Sequence, residues 1–213
     1  MTRILMNSPE NTQKLRRLLS RFVSVPAQAY CLELWQKYPF HFVVTRRRIS
    51  KLGDYRYQST SKAHQISVNG SLNPHAFLLT YIHEVAHLLA FTRHGFRIAP
   101  HGKEWKGCFQ ELMAPVLNSH VFPEDVLLPL QNYMRNPKAA SGSDQQLTLA
   151  LQQYDRQDGL QSLTEIAVGQ HFRFRQAVFI KEEVRRTRAL CKEMKSGRRY
   201  LVSLAARVEL VIK

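Results

Sequence analysis

The chain has 213 residues and a net charge of +15, with 31 Lys and Arg against 16 Asp and Glu. That length allows one medium domain, or one domain and a small appendage, and an apolar share of 44% is enough to build a core. No run of about 18 apolar residues is present, which excludes a membrane-spanning helix, while the charge favours a polyanionic partner, nucleic acid before an anionic membrane surface.

Taken in order, the sequence first predicts a helix opened by Ser8-Pro9-Glu10, a capping residue, a proline and an acid. Leu15, Leu18, Leu19 and Phe22 follow at helical spacing, with Lys14, Arg16, Arg17 and Arg21 on the outer face. A second helix is expected over residues 27–36, with Tyr30, Leu34 and Trp35 inward, before Pro39. Residues 40–44 read as a strand that runs into Arg46-Arg47-Arg48. Gly53-Asp54 marks a turn. Tyr55, Tyr57 and then His64 to Asn69 predict two short strands, the second alternating at Ile66 and Val68. Asn73-Pro74 opens a long helix expected to reach Arg93 or His94 and to stop at Gly95. Leu78, Ile82, Val85 and Leu89 form its apolar stripe, and Ala76, Thr80, His83 and His87 a smaller, more polar one. A further helix is expected from His101-Gly102, carrying Trp105, Phe109, Leu112, Met113 and Val116 and limited by Pro115. Another starts at Pro123-Glu124-Asp125 and ends near Asn136-Pro137.

Residues 137–146, centred on Ala140-Ser141-Gly142-Ser143, read as a linker between a domain over 1–136 and a small module over 147–213. After a short helical stretch near 147–154, the module reads as strands. Phe172 and Phe174 alternate with Arg173 and Arg175, Val178-Phe179-Ile180 and residues 200–204 follow, and Ser196-Gly197 makes a hairpin-like turn. Charge follows the same division. Residues 1–50 carry nine Lys and Arg against two acids, 51–150 nine against seven, and 151–213 thirteen against seven, so the centre is near neutral between basic flanks.

Cys31, Cys108 and Cys191 are far apart and include no C-x-x-C, so neither a zinc ribbon nor a thioredoxin-type redox pair is encoded. An odd, dispersed set suits a reducing compartment. The first residues lack the apolar run and cleavage site of a secretory signal. The expected location is the cytoplasm, with the nucleoid as a candidate site of action.

The chemistry centres on His83-Glu84-Val85-Ala86-His87. In a helix, residues four apart lie on one face, so both imidazoles can bind one ion, and the intervening Glu sits where a bound water needs a base. A third ligand is needed. His94 lies about 10 Å along the helix from His87, too far for one ion. Glu104 and Glu111 would complete a two-His-one-Glu site, whereas His101 follows a loop that can fold back and precedes Trp105, which can anchor it; His101 is favoured over the two acids.

The stretches HEVAHLLAF, HGKEW and the preceding ISVNGSLNP resemble the SprT-like zinc metallopeptidases, a family that includes the Spartan DNA–protein crosslink proteases. The resemblance covers roughly residues 8–135. It implies an α+β fold, a zincin-like mini-domain with an H-E-x-x-H active-site helix and a small antiparallel sheet, followed here by the basic strand-rich module. It also implies one Zn²⁺ held by His83, His87 and His101, with Glu84 as catalytic acid/base. Bacterial members commonly end in a four-cysteine zinc ribbon. Here that segment holds only Cys191, so it is read as a metal-free remnant or an unrelated β-module, without a second zinc site.

The expected function is a zinc-dependent metalloendopeptidase acting on proteins associated with or crosslinked to DNA, a role in DNA–protein crosslink repair. Its partners would be a protein substrate and DNA, single-stranded or as DNA–protein complexes, and no membrane. Candidate nucleic-acid contacts are Arg46, Arg47, Arg48, Arg173, Arg175, Arg185, Arg186, Arg188, Arg198 and Arg199, with Phe172, Phe174 and Tyr200 available to stack on unpaired bases. The competing reading of those aromatics is a strand with core on one face and solvent on the other. Tyr55, Tyr81, His94 and Arg97 are candidate oxyanion donors, and the strand over 66–69 a candidate edge for pairing with a peptide. The rival class is a non-enzymatic zinc-containing nucleic-acid-associated factor, for example in transcription. Glu84 argues against it, because a structural zinc needs no base. A zinc hydrolase with a non-peptide substrate is the third reading.

Overall fold

The structure is a computed structural model and describes residues 2–4, 9–48, 51–139, 144–155 and 159–211. The expected Ser8 cap and the centre of the expected linker lie outside the described residues. The chain divides into two compact units, Met1–Ser141 and Gly142–Lys213, both built from helices and sheet, so the fold class is α+β.

In the first unit the elements run β1 (Thr2–Ile4), α1 (Pro9–Leu19), α2 (Val25–Lys37), β2 (His41–Thr45), β3 (Gly53–Gln58), β4 (Ala63–Asn69), α3 (Pro74–His94), α4 (Lys103–Met113), a 3₁₀ turn (Ala114–Val116) and α5 (Glu124–Met134). The sheet order is β1-β2-β4-β3. β2 and β4 are parallel and the other pairs antiparallel, so the sheet is mixed rather than antiparallel as expected. The reason lies in composition. β4 carries Ile66 and Val68, both fully buried, and needs neighbours on both sides. β3, with Asp54, Arg56 and Gln58, tolerates the edge. The β3–β4 hairpin therefore docks β4 against β2 and turns β3 outward. Residues 66–69 are interior as a result, and the expected edge role passes to β3.

α3 forms as its caps predict. The Asn73 side chain accepts hydrogen bonds from the His75 and Ala76 amides at 3.1 and 2.9 Å, and the helix ends at Gly95, whose φ of 73° continues the chain in the left-handed region. Amphipathicity understates its burial. Beside the expected stripe, Phe77, Tyr81, Leu88 and Ala90 are also buried, because α3 lies between the sheet and α4. Phe40, Phe42, Phe77 and Tyr81 form an aromatic core, and the Tyr81 hydroxyl donates to the Cys31 carbonyl of α2 at 2.8 Å. α4 begins at Lys103, two residues after His101, with Gly102 at its cap.

The second unit holds α6 (Gln145–Gln152), β5 (Gln161–Ser162), β6 (His171–Phe174), β7 (Ala177–Val184), β8 (Arg188–Glu193), β9 (Arg199–Ser203) and β10 (Arg207–Val211). Asp144 caps α6 by accepting from the Leu147 amide at 3.0 Å. The strands form one antiparallel sheet, β5-β10-β6-β7-β8-β9, over a core that includes Phe172, Phe179, Cys191, Val202 and Val208. Lys181 is 2% exposed, and its ammonium donates to the carbonyls of Leu163 and Ile166 at 2.8 and 2.6 Å. A buried charge so placed closes the loop before β6 onto β7.

Candidate metal centre

Helical spacing puts His83 and His87 on one face of α3, and their Nε2 atoms lie 3.3 Å apart. His101 arrives from the connection to α4. Its φ of 57° reverses the chain so that its Nε2 lies 3.3 Å from that of His83. A non-glycine residue in this region is strained, and such strain concentrates at functional positions. One ligand atom from each of the three falls within 4.8 Å of the others. Nitrogens on 2.0–2.1 Å bonds around a tetrahedral ion stand about 3.3 Å apart, so the three imidazoles fit one small divalent cation.

The Trp105 ring of α4 lies against all three, with centroids 4.6 Å from His83, 5.4 Å from His87 and 4.6 Å from His101, and is itself stacked on Phe109. Tyr55 of β3 lies parallel to His87 from another direction and shares a hydrogen bond with His64 at 3.0 Å. Burial and the neighbouring imidazoles push His83 down to about 3 and His87 to about 4, and burial also lowers His101. All three are thus held neutral, the form that binds metal.

Glu84 is 6% exposed and accepts the Tyr55 backbone amide. Burial first, then the charge of Asp54, pushes its carboxyl up to about 8, against the opposing pull of Arg48, the Tyr55 amide and Lys51. β3 crosses it closely. A Cβ added at Gly53 would stand 2.7 Å from Glu84 Cγ and from Thr80 Cγ2, and closer still to Glu84 Oε1. The three imidazoles, Glu84 and the Gly53–Tyr55 backbone open on one cavity of about 400 Å3.

The alternatives for a third ligand fall elsewhere. Glu111 pairs with Arg93 through two contacts of 2.5 and 2.8 Å, and neither it, Glu104 nor His94 belongs to the cluster. Of the candidate oxyanion donors, Tyr81 is fully buried on Cys31, Tyr55 lines the cavity with its hydroxyl engaged by His64, and His94 and Arg97 do not line it. Lys51, Gly53 and Tyr133 line it too, beyond the expected site residues. Gly53, expected with Asp54 at a turn, instead opens β3, where a glycine permits close backbone approach; nothing in the sequence marks Tyr133, on α5.

The candidate nucleic-acid contacts divide. Arg46 and Arg47 are exposed, whereas Arg48 is half-buried, donates to Ser67 Oγ at 3.3 and 3.4 Å, and acts on Glu84. In the second unit Arg173, Arg175, Arg185, Arg186, Arg188, Arg198 and Arg199 are all exposed. Arg173, Arg185 and Arg199 pair with Glu209, Glu183 and Glu182, and Arg175 lies over the Phe174 ring. Phe172 is fully buried and so is core rather than a stacking surface, while Phe174 is half-buried and Tyr200 is 42% exposed.

Residues 27–124 match the SprT-like family, a span that includes Gly53, His83, Glu84, His87 and His101. Protein SprT of Enterobacter sp. (strain 638) is 28% identical over 156 residues, which covers 71% of this chain and 88% of that protein. Residues 27–124 are thus a SprT-like domain. Protein SprT of Escherichia coli O157:H7 is 35% identical over 95 residues, 41% of this chain and 53% of that protein. The Vibrio parahaemolyticus protein of the same name is 44% identical over 59 residues, 26% of this chain and 35% of its own length. No solved structure matches. Among the described residues, no helix is long and apolar enough to cross a membrane.

Proposed function

We propose that the first unit is a zinc-dependent metalloendopeptidase of zincin-like type, with α3 as its active-site helix. One observation carries the reading: three neutral imidazoles, with the Nε2 atoms of His87 and His101 each 3.3 Å from that of His83, share a cavity with the buried carboxyl of Glu84. His83, His87 and His101 would hold the ion. When bound, zinc supplies Lewis acidity, lowering the pKa of a water toward neutrality and polarising a carbonyl.

The rest falls to the chain's own groups. In the ionised form, which a cation held by the three imidazoles would favour over the neutral one, Glu84 accepts the proton of the attacking water and delivers it to the leaving amine. The Tyr55 amide and the β3 backbone at Gly53 hold that carboxylate in place. Trp105 and Phe109 back the imidazoles and keep water from their outer side. β3 is the sheet edge beside the cavity, where an extended peptide can be aligned through its backbone.

Nucleic acid is the proposed partner, single-stranded DNA or DNA–protein complexes, with DNA-associated or DNA-crosslinked proteins as substrates and the cytoplasm or nucleoid as the place of action. Support comes from the charge of +15 and from the exposed arginines, Arg46 and Arg47 in the first unit and the seven in the second.

The test compares wild type with Glu84→Gln, measuring bound zinc and cleavage of a DNA-binding protein with and without single-stranded DNA. The expected result is one zinc in each, cleavage by wild type only, and stimulation by DNA that weakens as salt rises. Stoichiometric zinc without cleavage under any condition would return the protein to the class of non-enzymatic nucleic-acid factors. Equal cleavage with and without DNA would remove nucleic acid from the reading.

A further inference from the structure

We propose that the outer edge of β9 and the groove beside it dock an extended, acidic polypeptide segment, which joins the sheet as a further strand and seats an apolar side chain in the groove. The surface belongs to the second unit and stands or falls apart from the peptidase reading.

β9 is the last strand of its sheet and, among the described residues, pairs only with β8. Its register with β8 runs from Arg199 to Ser203 without a bulge, and no proline interrupts it. Such an edge presents a row of backbone donors and acceptors to any extended chain. Edges are usually blunted by a charge, a bulge or a proline. Here the strand holds one charged residue, Arg199, at its start. That guanidinium pairs with Glu182 of β7 at 2.8 Å, so it turns back over the sheet and leaves the edge open.

Beside the edge a groove of about 1050 Å3 opens between the β6–β7 turn, the β8–β9 turn and β9. Phe179 and Val202, both members of the core, form its floor. Ala177, Val178, Met194 and Tyr200 surround it, and Met194 and Tyr200 are 49% and 42% exposed. The rings make no common platform for stacked bases. The Phe174 ring is covered by Arg175, 5.3 Å from its centroid, and Tyr200 stands at 89° to Phe179. Walls that are largely aliphatic suit the side chain of a peptide.

Charge selects among peptides. Arg175 and Lys195 line the groove, and its one acid, Glu193, accepts the Ser196 hydroxyl. Residues 151–213 carry thirteen Lys and Arg against seven acids. A second copy of this chain would bring like charge to the same edge, whereas an acidic segment answers it.

The test uses full-length Glu84→Gln, so that bound peptide is not cut, and reads fluorescence anisotropy. The probe is a fluorescein-labelled peptide in which Val and Thr alternate between Asp-Glu ends. It should bind, and Lys-Arg ends should weaken it at least about tenfold. N-methylation of every second residue should weaken it at least about tenfold in one register, where the amides facing β9 are lost, and by less than about threefold in the other. Burial of side chains alone gives no such difference. Met194→Asp, a change at an exposed wall residue, should weaken the probe at least about tenfold by placing a carboxylate in the groove. A probe that does not bind, equal effects of the two methylated registers, equal binding of the two kinds of end, or an unaltered affinity in Met194→Asp each overturn the proposal. Oligothymidylate binding that Met194→Asp weakens, without peptide binding, overturns it in favour of nucleic acid. A concentration-dependent dimer that Met194→Asp dissolves overturns it in favour of a second copy.

Discussion

The sharpest consequence of the geometry concerns Gly53, a residue with no side chain of its own. Gly53→Ala adds one methyl group to β3 where it passes over Glu84. The new carbon would stand 2.7 Å from Glu84 Cγ and from Thr80 Cγ2, about 0.7 Å inside ordinary contact. Its backbone φ is not in the left-handed region, so alanine is compatible with the strand itself. Something must move, and the carboxylate end of Glu84 gives more readily than β3, which is tied to β4 along its length. The cost to stability is that of modest overpacking, about 1–3 kcal/mol, partly offset by about 0.4–1 kcal/mol from the stiffer unfolded chain. The cost to chemistry is larger. A base displaced by close to 1 Å typically lowers the rate about 100-fold, or about 2.7 kcal/mol in the barrier. Zinc content, melting temperature and steady-state kinetics on a peptide should show a folded, zinc-loaded protein with KM little changed and kcat reduced about 100-fold. A variant that folds, binds zinc and keeps the wild-type kcat would refute the placement of Glu84 by the β3 backbone. Loss of zinc together with activity would refute it too, since the displaced group is not a ligand.

Three other outcomes are expected. Cys31 is fully buried, and burial holds its thiol far above its usual pKa. The folded thiol stays protonated while the unfolded one ionises near 8.5, so its contribution is present below that pH and is lost as pH rises; the unfolding free energy from urea titrations should fall between pH 8.5 and 10 with a slope that approaches about 1.4 kcal/mol per pH unit, and Cys31→Ala should remove that slope. His101→Gly removes one imidazole and also the left-handed strain at φ 57°; zinc should no longer raise the melting temperature, while the metal-free protein should be no less stable than wild type, within about 0.5 kcal/mol. Tyr81→Phe deletes a buried hydrogen bond between α3 and α2 that lies away from the cavity; it should lower stability by about 1 kcal/mol and leave kcat unchanged, and a tenfold drop in kcat would restore Tyr81 as an oxyanion donor.

The parts of the site that were legible in the sequence are those governed by local rules. The periodicity of α3 places His83 and His87 on one face whatever surrounds them, and Asn73 and Gly95 set its ends through bonds to adjacent residues. Strand alternation showed Ile66 and Val68 to be inward. It could not show whether residues 66–69 lay inside the sheet or at its edge, because neighbours in a sheet are separated by long stretches of chain. Likewise the three consecutive arginines 46–48 read as one cluster. Only the bond from Arg48 to Ser67, nineteen residues on, separates it from its exposed neighbours.

Composition and helical period need no partners to be read, so the strongly basic balance and the helix carrying H-E-x-x-H were legible in the chain alone, while the α+β class came with the family resemblance. Tertiary structure shows how the third imidazole joins the two helical ones. His101, favoured from the sequence, reaches them because its backbone turns left-handed, while Glu111, the alternative, is held by Arg93 across the gap between α3 and α4. It also decided that Gly53 lies against Glu84 and that Phe109 and Tyr133 wall the cavity. Each is a contact between segments tens of residues apart, set by how the two helices and the sheet pack, and packing of that range leaves no local trace in the chain.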